Sequence, residues 1–403
     1  MKVTQVIHGF PPHYMAGSEI YTYNLSKALA KMVDVTVFTR IENPYENCYK
    51  IVDEDFECIK VRRVNKPQRD YTFKDKYLDP EMDKAFRQHL KEFDPGVAHF
   101  GHLSHLSTNM VNIAKEEFGL PVVFTVHDFW LFCVRGQLIN PDLKICHGVS
   151  MENCLPCLKQ THKETLTKAD YLEYKAHMDR VIRNIDIFLS PSQFVRDFLI
   201  RNGVPKAKVV YSKYGFNKSL ITPRRREYSK DSQITFGFMG RIIPAKGLRL
   251  LLEAFNDLHL EARNLIIFGD PGPSKSHLER YCPKNAIFKG YYRNSALQGV
   301  LDQMDVLVVP SIWYENSPLV IQEAFMAGVP VITSNIGGMV ELVEDGVDGF
   351  TFEVGNKTAL KNIMQKVISN PEVLNGLKVN PKKVRSIEDD AKAAISIYRK
   401  VMA

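Results

Sequence analysis

The sequence predicts an α/β protein built from two doubly wound, parallel-sheet, Rossmann-like domains that face a central cleft. Three observations lead there. Short apolar runs alternate with amphipathic helical stretches, the pattern of a parallel sheet covered on both faces. The alternation stops and restarts near residue 234. Between the two series lies NKSLITPRRREYSKDSQ (217–233), polar, basic and broken by a proline, which reads as an interdomain linker.

In the first series, 1–216, VTQVIH (3–8) reads as a strand, SEIYTYNLSKALAKM (18–32) as an amphipathic helix and DVTVFT (34–39) as a second strand. VAHF (97–100), VVFTV (122–126) and IFLS (187–190) follow, with helical stretches between. In the second series, 234–385, ITFGFMG (234–240) precedes a helix at 247–257. NLIIFG (264–269), AIFKG (286–290), VLVVP (306–310) and VPVITS (329–334) continue it, and 386–403 forms a last helix. Ligands of such sheets bind outside the carboxyl ends of the strands, so the cleft between the domains is the expected site. Neither half carries GxGxxG after its first strand, which disfavours nicotinamide and flavin.

With 403 residues, 45% of them hydrophobic, the chain suits a globular protein of two or three domains. The opening MKVTQVIHGF is too short and polar for a signal peptide, and no apolar run approaches the roughly 20 residues of a membrane span. The cytosol is therefore the expected compartment, with thiols reduced or metal-bound. The net charge of +7 lies beyond residue 185, much of it within 196–230. A solvated linker surface and peripheral contact with an anionic membrane both fit that stretch. No recognition motif accompanies it, so nucleic acid is not an expected partner.

The chemistry concentrates at strand ends. After VLVVP comes ENSPLVIQE, with Glu315 and Glu323 bracketing a helix start. Pro318 suits the first helical turn, and Asn316 or Ser317 suits its cap. Backbone amides of the segment from Ser317 and Pro318 to Leu319, with the helix dipole, would hold a phosphate. Glu323 would then accept from a ribose and Glu315 from sugar hydroxyls. The plainer alternative is a helix-start glutamate and a surface glutamate. After ITFGFMG comes GRIIPAKG, where Arg241 and Lys246 can aim two cations at one diphosphate. SNIGGMVELV places Gly337 and Gly338 for close backbone approach to a ligand before another helix.

In the first half, PPHYMAGSE joins strand to helix, and Gly17 allows close approach to a phosphate with the helix starting at Ser18. His127 lies just past a strand, with Asp128 beside it as an acceptor contact. His99 and His102 are expected to line the acceptor side of the cleft. Cys133, Cys146, Cys154 and Cys157 fall within 25 residues and end in a CLPC turn. Structural zinc, a disulfide pair and unlinked buried thiols are all open readings, and His147 or His162 could replace one zinc ligand.

Together the E-x7-E glutamates, GRIIPAKG, GGMVE with Glu341, and PPHYMAGSE resemble retaining glycosyltransferases of family 4 over nearly the whole chain. The resemblance implies the GT-B fold, with an N-terminal acceptor-binding domain, a C-terminal nucleotide-sugar domain and a last helix that crosses back to the first. It implies that Arg241 and Lys246 meet the donor diphosphate, that Glu315 and His127 approach the transferred sugar, and that Glu323 meets the ribose. It also implies metal-independent, front-face transfer from a nucleotide diphosphate sugar to an acceptor hydroxyl. A non-catalytic nucleotide-sugar scaffold and an epimerase or hydrolase of the same fold remain the alternatives.

Overall fold

The computed structural model describes all residues except 67–70, 147, 163, 259–262, 273–277 and 279. The described chain divides into two units: Met1–Gly215 together with Ser386–Ala403, and Phe216–Arg385.

The first unit is built on a sheet ordered β3-β4-β2-β1-β5-β6-β7-β8. Its strands are β1 (Lys2–Val6), β2 (Asp34–Ile41), β3 (Ile51–Phe56), β4 (Ile59–Asn65), β5 (Val97–Phe100), β6 (Val122–Thr125), β7 (Ile187–Ser190) and β8 (Val209–Tyr211). Neighbours pair in parallel, except that β3 runs antiparallel to β4 at the edge. Sequence reasoning missed β3, β4 and β8. IVDEDF and IKVRRVN look too charged for strands, but β3 is an edge and β4 buries its arginines in pairs. Arg63, 2% exposed, bonds Glu54 and donates to the Phe10 and Pro11 carbonyls, which pins the loop after β1.

The Ile387–Met402 helix belongs to this unit. Ser386 caps it by accepting from the Asp389 amide. Its buried Asp390 accepts from the Tyr21 hydroxyl at 2.9 Å and the Gly215 amide at 2.8 Å. Tyr398 reaches the sheet and bonds His99 at 2.6 Å.

The second unit carries a parallel sheet ordered β11-β10-β9-β12-β13-β14. Its strands are β9 (Ile234–Met239), β10 (Arg263–Phe268), β11 (Ala286–Gly290), β12 (Val306–Val309), β13 (Val331–Ser334) and β14 (Gly349–Phe352). Phe236 of β9, Leu251 and Phe255 of the Leu248–Asn256 helix, and Leu360 and Met364 of the Lys357–Ser369 helix share its core. The strand order reverses between β9 and β12, so their carboxyl ends open the crevice where such sheets bind ligands. In the first unit the reversal falls between β1 and β5. The basic linker is partly neutralised against its own unit: Arg226 pairs with Asp305 at 2.6 Å and Arg224 with Asp302 at 3.0 Å. Among the described residues no helix is long and apolar enough to cross a membrane.

Candidate functional site

At the second unit's reversal point, two loops meet. The loop after β9 makes a 3-10 turn, Pro244–Lys246, and Gly247 follows at φ 71°. A Cβ on Gly247 would lie 1.9 Å from the Pro310 carbonyl oxygen, so glycine is required for this loop to pack under the loop after β12. The Ile312 amide donates to the Ala245 carbonyl at 2.9 Å and ties the two loops together.

This packing sets the glutamate. Glu315, 6% exposed, accepts on one oxygen, Oε1, from Lys246 Nζ, Ser311 Oγ and Trp313 Nε1, each at 2.7 Å. The Lys246 ammonium also lies 5.7 Å from the Trp313 ring centre. Lys246 and Glu315 are thus brought together directly, which the separate sequence motifs did not indicate. Arg241 is exposed and makes no ion pair among the described residues.

Two expectations are corrected here. The helix runs Leu319–Ala327 with Pro318 at its cap position, and neither Asn316 nor Ser317 caps it. Pro318 has ψ 121°, outside helical space, so the helix starts one residue later than the proline rule suggests. Pro318 also lacks an N–H, so the orphan amides of this N-terminus begin at Leu319, with that of Ser317 ahead of them. The glycine pair serves the loop's backbone: a Cβ on Gly337 would meet the Glu315 main-chain carbonyl oxygen at 2.8 Å, and the Gly338 amide donates to that same carbonyl at 2.8 Å. A 3-10 turn, Gly337–Met339, follows where a longer helix was expected. Glu341 is exposed beyond it.

Glu323 sits in the second turn of the Leu319–Ala327 helix, and burial pushes its carboxyl up to about 7. Its charge is felt by Tyr292, which packs on Phe268 just past the end of β11.

The first unit gathers imidazoles past its strand ends. His127 bonds the Tyr214 hydroxyl through Nδ1 at 2.8 Å. Burial, then the neighbouring His102, lowers it to about 3, so the ring is neutral at physiological pH. A Cβ on Gly101 would come within 3.3 Å of His127 Nε2, so the glycine keeps space beside that nitrogen. His102 Nδ1 stands 2.8 Å from the Asp128 carboxylate. Burial works against its charge, but Asp128 prevails and raises it above the usual histidine value. Sequence reasoning missed a second pair, His8 and Glu19, at 3.2 Å, whose rings and carboxylates adjoin the first: His8 and His102 meet edge to face at 4.3 Å. Burial opposes the Glu19 charge, yet the bonds from His8 and Ser18 hold it down to about 2. The strand-end rule that found His127 would have found His8.

His99 is not a cleft residue. It lies inside β5, 2% exposed, with Tyr398 and Gln5 on Nδ1 and Thr125 on Nε2 at 2.7 Å. Both nitrogens are used, and burial lowers it to about 3, so it ties the sheet to the last helix. Gly17 opens the Gly17–Leu29 helix, with Ala16 as its cap residue.

Cys133, Cys146, Cys154 and Cys157 are free thiols, and Cys154 and Cys157 lie one turn apart on the Met151–Thr161 helix. Burial, then Cys133 and Cys146 nearby, pushes Cys154 up to about 11. Among the described residues no group of three His, Cys, Asp or Glu side chains forms a ready metal site. His162 instead packs on Phe73 and stands 3.7 Å from Glu164, while His147 lies outside the described residues.

A doubly wound sheet with a cation and a helix N-terminus at its reversal point is the setting in which such proteins bind anionic ligands. The comparisons narrow it. Residues 222–384 match the family model described as glycosyl transferases group 1, and residues 15–216 match that of glycosyltransferase family 4. An uncharacterized glycosyltransferase of Methanocaldococcus jannaschii is 24% identical, covering 100% of this chain and 99% of its own. Among solved structures, sucrose-phosphate synthase from Thermosynechococcus elongatus superposes with a TM-score of 0.74 at 20% identity, covering 99% of this chain and 98% of that one. Anabaena HepE, in complex with UDP and glucose, gives 0.70 at 16% identity, covering 99% and 100%. The chain belongs to glycosyltransferase family 4 and has the GT-B fold. It is a glycosyltransferase.

Proposed function

We propose that the protein moves a sugar from a nucleotide diphosphate donor to an acceptor hydroxyl with retention of anomeric configuration, and without a metal ion at the diphosphate. The observation that carries this is the pairing of Lys246 with Glu315 just ahead of the amide end of the Leu319–Ala327 helix, at the reversal point of a parallel sheet that Arg241 also follows. Departure of a nucleoside diphosphate builds negative charge, which Lys246, Arg241 and the helix dipole would stabilise. Lys246 spends one N–H on Glu315 and keeps two for phosphate oxygens. Glu323 accepts from the ribose hydroxyls. A neutral His127, its Nδ1 engaged by Tyr214, offers Nε2 to a sugar hydroxyl. Glu315, held by three donors on Oε1, is assigned to a sugar hydroxyl rather than to nucleophilic attack. The departing phosphate oxygen takes the acceptor proton as the new glycosidic bond forms on the same face. The cytosol, with peripheral contact to an anionic membrane through the basic stretch, belongs to the same reading.

The test is incubation with UDP-, GDP- and ADP-linked sugars and a panel of hydroxyl acceptors, with and without chelator. Chelator-resistant release of nucleoside diphosphate, matched by a product whose anomeric configuration equals the donor's by NMR, supports the reading. An inverted product, or abolition by chelator, overturns it.

A further inference from the structure

We propose that Trp313 and Ser311 are positioning residues for the transfer step, acting through Glu315; this rests on the reading above. The loop Pro310–Ser317 is the turn from β12 into the Leu319–Ala327 helix, and its side chains fold back on themselves. Ser311 is fully buried, and its hydroxyl donates to Glu315 Oε1 at 2.7 Å. Trp313 donates its indole N–H to that same atom at 2.7 Å. Lys246, from the other loop, is the third donor.

A carboxylate oxygen offers about two lone-pair sites. Three donors therefore saturate Oε1 and fix the carboxylate's rotation. Oε2 takes no hydrogen bond among the described residues, so it is the acceptor left for a substrate hydroxyl. Lys246 alone could not do this. Its flexible stem also serves the diphosphate, and it would carry the carboxylate with it as the donor arrives. Ser311 and Trp313 are short or rigid, and neither is charged, so a phosphate does not draw them away. Trp313 acts twice: its N–H holds Glu315 while its ring face lies 5.7 Å from the Lys246 ammonium. The arrangement keeps a carboxylate and a lysine in contact yet independently oriented, which transfer requires and nucleotide binding does not.

The test compares Ser311→Ala and Trp313→Phe with the parent chain, each isosteric or smaller. Product nucleoside diphosphate affinity is read by calorimetry, and kcat and donor KM by steady-state kinetics. The expected result is unchanged nucleotide affinity and donor KM, with kcat lowered roughly ten- to hundredfold, the scale of one lost hydrogen bond to a charged group. The double variant should lose less than the product of the two single losses, because both act through one oxygen. Unchanged kcat in Ser311→Ala, or a raised KM with kcat intact, overturns the proposal; Ser311→Ala decides alone if Trp313→Phe loses nucleotide binding through misfolding. A parent chain that binds nucleotide but transfers no sugar removes the reading beneath it, and that outcome is visible before any variant is made.

Discussion

Lys246 Nζ stands 2.7 Å from Glu315 Oε1, across 69 residues of sequence. The pair is partly buried, with side-chain exposures of 24% and 8%. Removing one partner leaves the other's charge poorly compensated. Lys246→Ala is therefore expected to lower kcat/KM by at least about a hundredfold, near the scale of one lost charge-stabilising donor. Arg241→Ala, whose guanidinium is exposed, should weaken donor binding and cost a similar factor without loss of stability. Steady-state kinetics and thermal unfolding of both variants check this.

The raised carboxyl of Glu323 gives a signed pH dependence. Between its ordinary range and about 7, the folded chain holds a proton that the unfolded chain has released. Stability from this group therefore falls as pH rises through that window. Glu323→Gln should leave unfolding unchanged near pH 4 and become relatively more stable than the parent by about pH 8. In the parent, nucleotide affinity should rise over the same interval, because the ionised carboxylate accepts from ribose hydroxyls more strongly. Calorimetry across pH measures both, and a flat profile in the parent contradicts the assignment.

The His102–Asp128 pair has the same pH sign. His102 is raised, so its contribution is fully present below the ordinary histidine value and is lost as pH rises through the folded value. Asp128→Asn should lower unfolding stability most in mild acid, with the difference shrinking above neutrality. Thermal melts at several pH values read this directly, and NMR titration of the imidazole should show His102 moving down in the variant.

The cysteines make a fourth prediction. Structural zinc remains a proposal from the CLPC turn and the spacing of Cys133, Cys146, Cys154 and Cys157. Protein purified without chelator should carry about one zinc per chain, and Cys154→Ser with Cys157→Ser should lose it along with stability. Four thiols that titrate without chelator, and no zinc by elemental analysis, would reduce the cluster to packing.

Much of this site was legible one strand end at a time. Local pattern sufficed for β9, β12 and the Leu319–Ala327 helix, because apolar runs and a glycine stop encode them within a few residues. It picked out Arg241, Lys246, Glu315 and His127 as polar residues past buried strands, and Glu323 as a carboxylate on the helix that follows. It failed at β3 and β4, whose charges become tolerable only when Arg62 and Arg63 find Asp53 and Glu54 across the hairpin.

The sequence by itself determined two doubly wound series and the residues presented at the strand ends, since hydrophobic period and turn chemistry are local properties. Only the tertiary structure decided what those residues touch. His8 meets His102 because β1 and β5 are sheet neighbours. His99 is spent on Tyr398 because the last helix packs over β5. Glu315 is held by Lys246, Ser311 and Trp313 because two loops 69 residues apart pack through a glycine that no side chain could replace. Contacts of that kind depend on which strands lie side by side, and that choice is made by burying the whole sheet at once rather than by any single segment.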